Sequence, residues 1–163
     1  MSVEKIDRKI SVIFATDVVD YSLHMEKDES GTVTSLRTYE KILKQAFKKH
    51  GGRLFNTGGD SFMAEFSSAV KAVECAIDFQ NIVKEKNIKP ALSFRIGINA
   101  GDVILQKKNL LGDGVNVAAR LEQLSQPDGI TISKSIFDYI EGKLDIKIQD
   151  LGIQQVKNCL LYT

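Results

Sequence analysis

Leu92-Ser93-Phe94-Arg95-Ile96-Gly97-Ile98-Asn99-Ala100-Gly101 alternates without a break. Leu92, Phe94, Ile96, Ile98 and Ala100 fall on one side; Ser93, Arg95, Gly97, Asn99 and Gly101 fall on the other. A period of two over this length is a β-strand with one face on a core, and it is predicted to continue to Leu105. Glycines on the second face predict a bend or the close approach of another backbone. Upstream, Lys9 to Val19 carries Ile10, Val12, Ile13 and Phe14, which suggests a central strand ending at Asp17. Ser30 to His50 is predicted helical, with Val33, Leu36, Tyr39, Leu43, Ala46 and Phe47 on one side and His50-Gly51-Gly52 as its stop. Arg53 to Asn56 and Ser61 to Phe66 read as two strands joined by a tight turn at Gly58-Gly59. Ser67 to Asn87 is a second helix with Val70, Val73, Ile77 and Val83 inward.

Downstream of the alternating strand, a polar excursion from Gln106 to Asn109 leads to Gly112-Asp113-Gly114-Val115-Asn116-Val117-Ala118-Ala119-Arg120. A glycine turn here feeds a helix. Val117, Leu121 and Leu124 form a stripe predicted to be buried, while Asn116 and Arg120 share a separate face. One amide and one permanent cation on one face suit a sugar and a phosphate. Pro127-Asp128-Gly129 is a turn, Ile130 to Ile132 a short strand, and Ser133 caps a short helix through Ile140. Strands near Ile146 to Asp150 and from Gln154 to the C-terminus complete the order β-α-β-β-α-β-α-β-α-β-β. The expected class is α+β, a ferredoxin-like (palm-type), antiparallel-rich sheet flanked by helices.

The chain has 163 residues and is expected to form a single domain, 1–163, large enough to bury a core without staples. A formal net charge of +1, with Lys48-Lys49 and Lys107-Lys108 as short isolated pairs, argues against nucleic-acid binding by bulk electrostatics. No apolar run approaches membrane-spanning length, and Met1-Ser2-Val3-Glu4-Lys5 lacks the core of a signal peptide. Cys75 and Cys159 make no disulfide or metal framework, and Cys75 fits a helix core. The expected setting is reduced and cytoplasmic. The abrupt end at Tyr162-Thr163 is what the catalytic piece of a longer protein would show.

Asp17 ends the first strand, and Asp60 follows the hairpin turn in Asn56-Thr57-Gly58-Gly59-Asp60. In a ferredoxin-like sheet the first strand sits beside the central hairpin, so the two carboxylates converge. Two such acids suit Mg²⁺, which binds through one or two carboxylates and keeps positions for substrate phosphates. The backbone of Val18-Val19-Asp20-Tyr21-Ser22, leading toward a helix, offers amide N–H groups to phosphates. A Gly-Gly-Asp turn and a strand-end aspartate are also ordinary structural features.

Together these stretches resemble class III nucleotidyl cyclases, the adenylate/guanylate cyclase catalytic domain. Phe14 to Ser22, Gly59 to Phe66, Phe94 to Gly101 and Gly112 to Arg120 match in the family's order and spacing and cover nearly the whole chain. The resemblance implies a head-to-tail homodimer with two composite sites that convert ATP or GTP to the 3′,5′-cyclic monophosphate and pyrophosphate. It implies two divalent cations (Mg²⁺ or Mn²⁺) on Asp17, Asp60 and the backbone of Val18. Val19, Asp20 and Tyr21 would bind phosphate, and Lys157 matches a triphosphate-contacting lysine. Asn116 would orient the ribose and Arg120 would stabilise transition-state charge, both from the opposite protomer. His24 and His50 are left as surface or helix-end residues.

Three positions depart from the family's pattern. Asn56 and Asn109 stand where members choose their purine, adenylate cyclases usually with Lys and Asp or Thr, guanylate cyclases commonly with Glu and Cys. An amide both donates and accepts, so it matches either base edge. ATP is favoured over GTP because the guanylate-type acid and cysteine are absent. Asp20 occupies a position where glycine is common. These departures leave open a catalytically silent nucleotide-binding or regulatory module. A diguanylate cyclase, suggested by Gly58-Gly59-Asp60-Ser61-Phe62, fits less well, since Ser61 replaces an acid and the Asn116/Arg120 helix has no place there.

Overall fold

The structure is a computed structural model that describes residues 6–153 and 160–162. Its elements run β1 (Asp7–Val18), α1 (Tyr21–Lys27), α2 (Glu29–Lys49), β2 (Arg53–Gly58), β3 (Ser61–Phe66), α3 (Ala69–Glu85), β4 (Phe94–Gln106), β5 (Asn109–Leu111), α4 (Asp113–Leu124), β6 (Ile130–Ser133), α5 (Lys134–Ile140), β7 (Asp150–Ile153) and β8 (Leu160–Tyr162). One sheet holds them in the order β2-β3-β1-β4-β6-β8-β7, with β5 paired to β4. The first four positions are the ferredoxin-like arrangement expected, with β1 antiparallel to both β3 and β4. The second half then extends the sheet, starting with β6 parallel to β4.

Alternation along β1 and β4 sends side chains to two different layers. Val12, Phe14, Phe94, Ile96 and Ile98 meet α2, α3 and α5 in the larger core, with Tyr39, Leu43, Phe47, Phe79 and Ile136. Phe14 stacks edge-on against Phe47 at 5.1 Å, and Phe94 against Phe79 at 5.1 Å. Ile13 and Ala15 face the other way, into a smaller cluster with Val103, Leu110, Val115 and Ala118 under α4. Each long helix begins on its own cap: Asp28 accepts from the Gly31 amide and Ser68 from the Lys71 amide. Gln80 on α3 donates to the Phe94 and Gly129 carbonyls, tying that helix to the head of β4.

Helix α4 lies hard against β4, as the two glycines in the alternating strand suggest. A Cβ on Gly97 would sit 2.5 Å from the Ala118 carbonyl oxygen and closer still to the Glu122 amide nitrogen. Asn99, buried in the same strand, donates to the Gly114 carbonyl at 3.1 Å and fixes the first turn of the helix.

Several expectations change. The polar excursion at Gln106 to Asn109 is the turn of a β4–β5 hairpin, with Gln106 opposite Asn109. The strand expected at Ile146 to Asp150 begins only at Asp150, while Ile146 and Ile148 pack against the core from an irregular segment. A short helix, α1, precedes the long one. Leu124 is exposed rather than part of the buried stripe; Gly114, Val115, Val117, Ala118, Leu121 and Glu122 face inward instead. The contact at Gly97 is the reason: it seats Ala118 and Glu122 on the strand and turns Leu124 outward. His50 is a helix end but not a surface residue, since it is buried with Nδ1 2.8 Å from the Ala46 carbonyl and Nε2 2.9 Å from Asp78.

Gly97→Val tests this packing. Overpacking against backbone that cannot step aside is expected to cost about 1–3 kcal/mol. For a domain of this size that lowers the melting temperature by about 3–10 °C. Thermal unfolding followed by circular dichroism reads it, and an unchanged melting temperature would show that α4 has room to move.

Candidate active site

Asp17 is next to last in β1, opposite Ser61 on one side and Arg95 on the other. Counting back from the Asp17–Ser61 pair, Asp60 lies beside Val18, at the hairpin turn that Gly59 makes with φ 66°. The two carboxylates therefore do converge. Burial pushes the Asp60 carboxyl above its ordinary value and the Asp17 charge adds to this, while the Val18 amide hydrogen bond and Arg95 oppose it. Two acids held close at a partly buried strand end, with the Val18 backbone between them, form a hard-oxygen set that fits Mg²⁺ or Mn²⁺.

A hollow of about 520 Å³ opens beside them, lined by Val18, Asp20, Tyr21, Ser22, Leu23, Glu26, Asp60 and Arg95. Asp20 caps α1 in the left-handed region, φ 54°, ψ 40°. That conformation explains the preference for glycine at this position, and aspartate is among the few other residues that adopt it readily. Its side chain makes no capping hydrogen bond.

Arg95 and Glu122 are functional candidates that the sequence reading left unassigned. Arg95 grips both oxygens of Asp17, Nη2 lying 3.3 Å from Oδ1 and 3.2 Å from Oδ2. It also reaches α4, donating to the Gln123 carbonyl at 3.4 Å. Burial works against its charge, but Asp17 outweighs this and raises its pKa. Glu122 is buried, with Oε1 at an ion-pair distance of 3.4 Å from Arg95 Nε but without hydrogen-bond alignment. Burial, then the Asp17 carboxylate, push its pKa up to about 9 against the pull of Arg95. The available signal was an arginine on the glycine-bearing face of a strand, but its partner depends on strand register.

Asn116 and Arg120 lie exposed on α4, and neither lines the hollow at Asp17 and Asp60. Asn56 is exposed on β2, just past a bulge at Phe55. Asn109 opens β5, half-buried. Val19 and Tyr21 are half-buried around the Asp20 turn. Lys157 lies outside the described residues.

A ferredoxin-like core with paired strand-end carboxylates and an exposed Asn/Arg helix is the arrangement expected from the resemblance to nucleotidyl cyclase domains. The family model for the adenylate and guanylate cyclase catalytic domain matches residues 2–161, and the chain belongs to that family. A putative adenylate cyclase of Rhizobium meliloti is 42% identical over 97% of this chain and 28% of its own length. An adenylate cyclase of Streptomyces coelicolor is 29% identical over 79% of the chain and 33% of its own length. The chain thus spans about a third or less of these two proteins. The solved adenylate/guanylate cyclase/hydrolase of Silicibacter pomeroyi superposes with a TM-score of 0.87 at 32% identity, covering 97% of both chains. No helix among the described residues is long and apolar enough to cross a membrane.

The Glu122 shift has a signed consequence. A carboxyl whose folded pKa is raised from about 4.5 to about 9 favours folding at low pH, and that contribution is lost as pH rises. Glu122→Gln lacks this titration, so its melting temperature relative to wild type is expected to climb steadily between about pH 5 and pH 9. A constant difference across that range would mean that Glu122 is not held neutral.

Proposed function

We propose that the chain is an adenylate cyclase, converting ATP to 3′,5′-cyclic AMP and pyrophosphate at sites shared between two copies arranged head to tail. The observation that carries this reading is the separation of the polar groups: Asp60 lines a hollow together with Arg95, which holds Asp17, while Asn116 and Arg120 are exposed on α4 and outside that hollow. A second copy supplies what each hollow lacks. Leu111 on β5 and Leu124 on α4, 41% and 44% exposed, are apolar side chains open to a partner.

In the reaction the ribose 3′-hydroxyl loses its proton and bonds to the α-phosphorus, and the bond from that phosphorus to the pyrophosphate oxygen breaks. Asp17, Asp60 and the Val18 carbonyl would hold two divalent cations, which when bound make the hydroxyl more acidic and offset phosphate charge. Arg95 lines the same hollow and holds Asp17 in place through both carboxylate oxygens. The backbone amides of Val19, Asp20 and Tyr21 offer donors to the phosphates, with Lys157 assigned to the same group by resemblance. Asn116 from the other copy orients the ribose, a positioning effect. Arg120 from the same helix stabilises charge that develops on the equatorial oxygens. Asn56 and Asn109 contact the base, and the relatives named as adenylate cyclases favour adenine.

Incubation with each nucleoside triphosphate and Mn²⁺, followed by mass spectrometry, is expected to give cyclic AMP from ATP. Cyclic GMP as the main product would reassign the purine, and no cyclic product from a folded dimer would overturn the reading. Asp17→Asn and Arg120→Ala are each expected to lose about 10²–10³-fold in kcat. Mixed together, they should recover about a quarter of wild-type activity, because half the random dimers carry one intact site. Failure of the mixture to recover, with subunits exchanging, would rule out shared sites.

A further inference from the structure

Arg53 lies outside the hollow at the carboxylates, on β2, three residues before Asn56. Its guanidinium joins two elements: Nε donates to Glu65 Oε1 at 2.6 Å, and Nη1 donates to the Lys108 carbonyl at 2.8 Å. Glu65 is itself anchored by Lys9 Nζ at 3.0 Å and Ser11 Oγ at 3.3 Å. Burial alone would raise the Glu65 carboxyl, but Lys9 and Arg53 outweigh it and hold it below its ordinary value. The far end of the fork is therefore a fixed carboxylate tied to β1 and β3.

The near end meets a strained turn. Lys107 and Lys108 connect β4 to β5, and Lys107 adopts φ 57°, a left-handed conformation that is unfavourable for a non-glycine residue. Such a conformation persists where its surroundings over-determine it. Asn109 follows immediately and turns Oδ1 back onto the Leu110 amide at 2.9 Å. An N–H can be met only by the oxygen, so the amide orientation is fixed, and Asn109 offers a base the two donors of Nδ2. Across the joint, the bulge at Phe55 sends that ring against the cluster holding Leu110 and sets Asn56 on the following position.

Adenine and guanine present the same two kinds of group in opposite order. Adenine has a donor at position 6 and an acceptor at N1; guanine has an acceptor at position 6 and a donor at N1. The fixed donor of Asn109 meets the acceptor of either purine, N1 of adenine or position 6 of guanine, so the placement of Asn56 relative to it decides which base brings its donor within reach. If the joint slackens, either base can shift to satisfy both amides.

We propose that Arg53 is a positioning residue for purine selection, its fork between Glu65 and Lys108 fixing the spacing of Asn56 and Asn109. This rests on the reading of those two asparagines as base contacts given under Proposed function. Lysine does not replace the fork, because one ammonium lacks the planar pair of donors that spans both acceptors.

The test measures binding of fluorescent MANT-ATP and MANT-GTP with Mn²⁺ to wild type, Arg53→Ala, Arg53→Lys, Asn56→Ala and Asn109→Ala. Arg53→Ala is expected to weaken the preferred nucleotide about three- to tenfold, the worth of one hydrogen bond, and to bring the ATP/GTP affinity ratio toward one. Arg53→Lys should recover only part of that ratio. Amide exchange at Asn109 to Leu111 should quicken in Arg53→Ala while the rest of the sheet keeps its protection. An unchanged ratio in Arg53→Ala, alongside an altered ratio in Asn109→Ala, would overturn the proposal and leave the base contacts standing. Unchanged ratios in both asparagine variants would overturn the base reading and the proposal with it. Should Arg53→Ala fail to fold, Glu65→Gln, which loosens the anchored end of the fork, is read by the same criteria.

Discussion

Everything at the active end of this domain depends on one missing side chain. Gly97 lets the backbone of α4 rest directly on β4, at a distance that no Cβ would permit. That contact fixes both the depth and the rotation of the helix. Depth places Glu122 within reach of Arg95, and rotation leaves Asn116, Arg120 and Leu124 facing outward. The Asn99 hydrogen bond to Gly114 sets the third coordinate, the position along the helix axis. A wider strand residue would not merely loosen a core; it would move two polar groups relative to a pair of acids on the other side of the sheet edge.

The electrostatics follow from the same placement. Asp17, Asp60 and Glu122 crowd three carboxyl groups around a single guanidinium, so their charges cannot all be accommodated at once. The structure answers by giving Arg95 to Asp17 through both oxygens and by keeping Glu122 protonated in its buried seat. Asp60 keeps its own carboxyl raised and remains on the open side, lining the hollow. The acid that lines the hollow is therefore the one on the open side, and the uncompensated negative charge lies at the mouth of the site rather than in the core.

Much of this was legible in the chain. The alternation from Leu92 to Gly101 located the long strand, its glycines pointed to a bend or a close backbone, and Asp17 and Asp60 followed from the strand end and the turn. Arg95 and Glu122 were present in the same stretches, but what each does depends on register, which a local pattern does not carry. The β4–β5 hairpin was hidden because Asn109-Leu110-Leu111 is too short to show a period and its turn, Lys107-Lys108, lacks the glycine that usually marks one. Leu124 misled for a related reason: helical spacing identifies a stripe, while the strand beneath decides which stripe is pressed inward.

The pairing of β1 has a consequence for how the chain is made. Asp17 and Arg95 are 78 residues apart, and both neighbours of β1 are synthesised after it. Until β3 and β4 have left the ribosome, an apolar strand with two open edges must wait without a ladder on either side. Two lengths of helix, α2 and α3, emerge in that interval and carry the aromatic faces that cover Phe14 and Phe94. Helix α2, which emerges before either β3 or β4, is thus the first shelter available to β1.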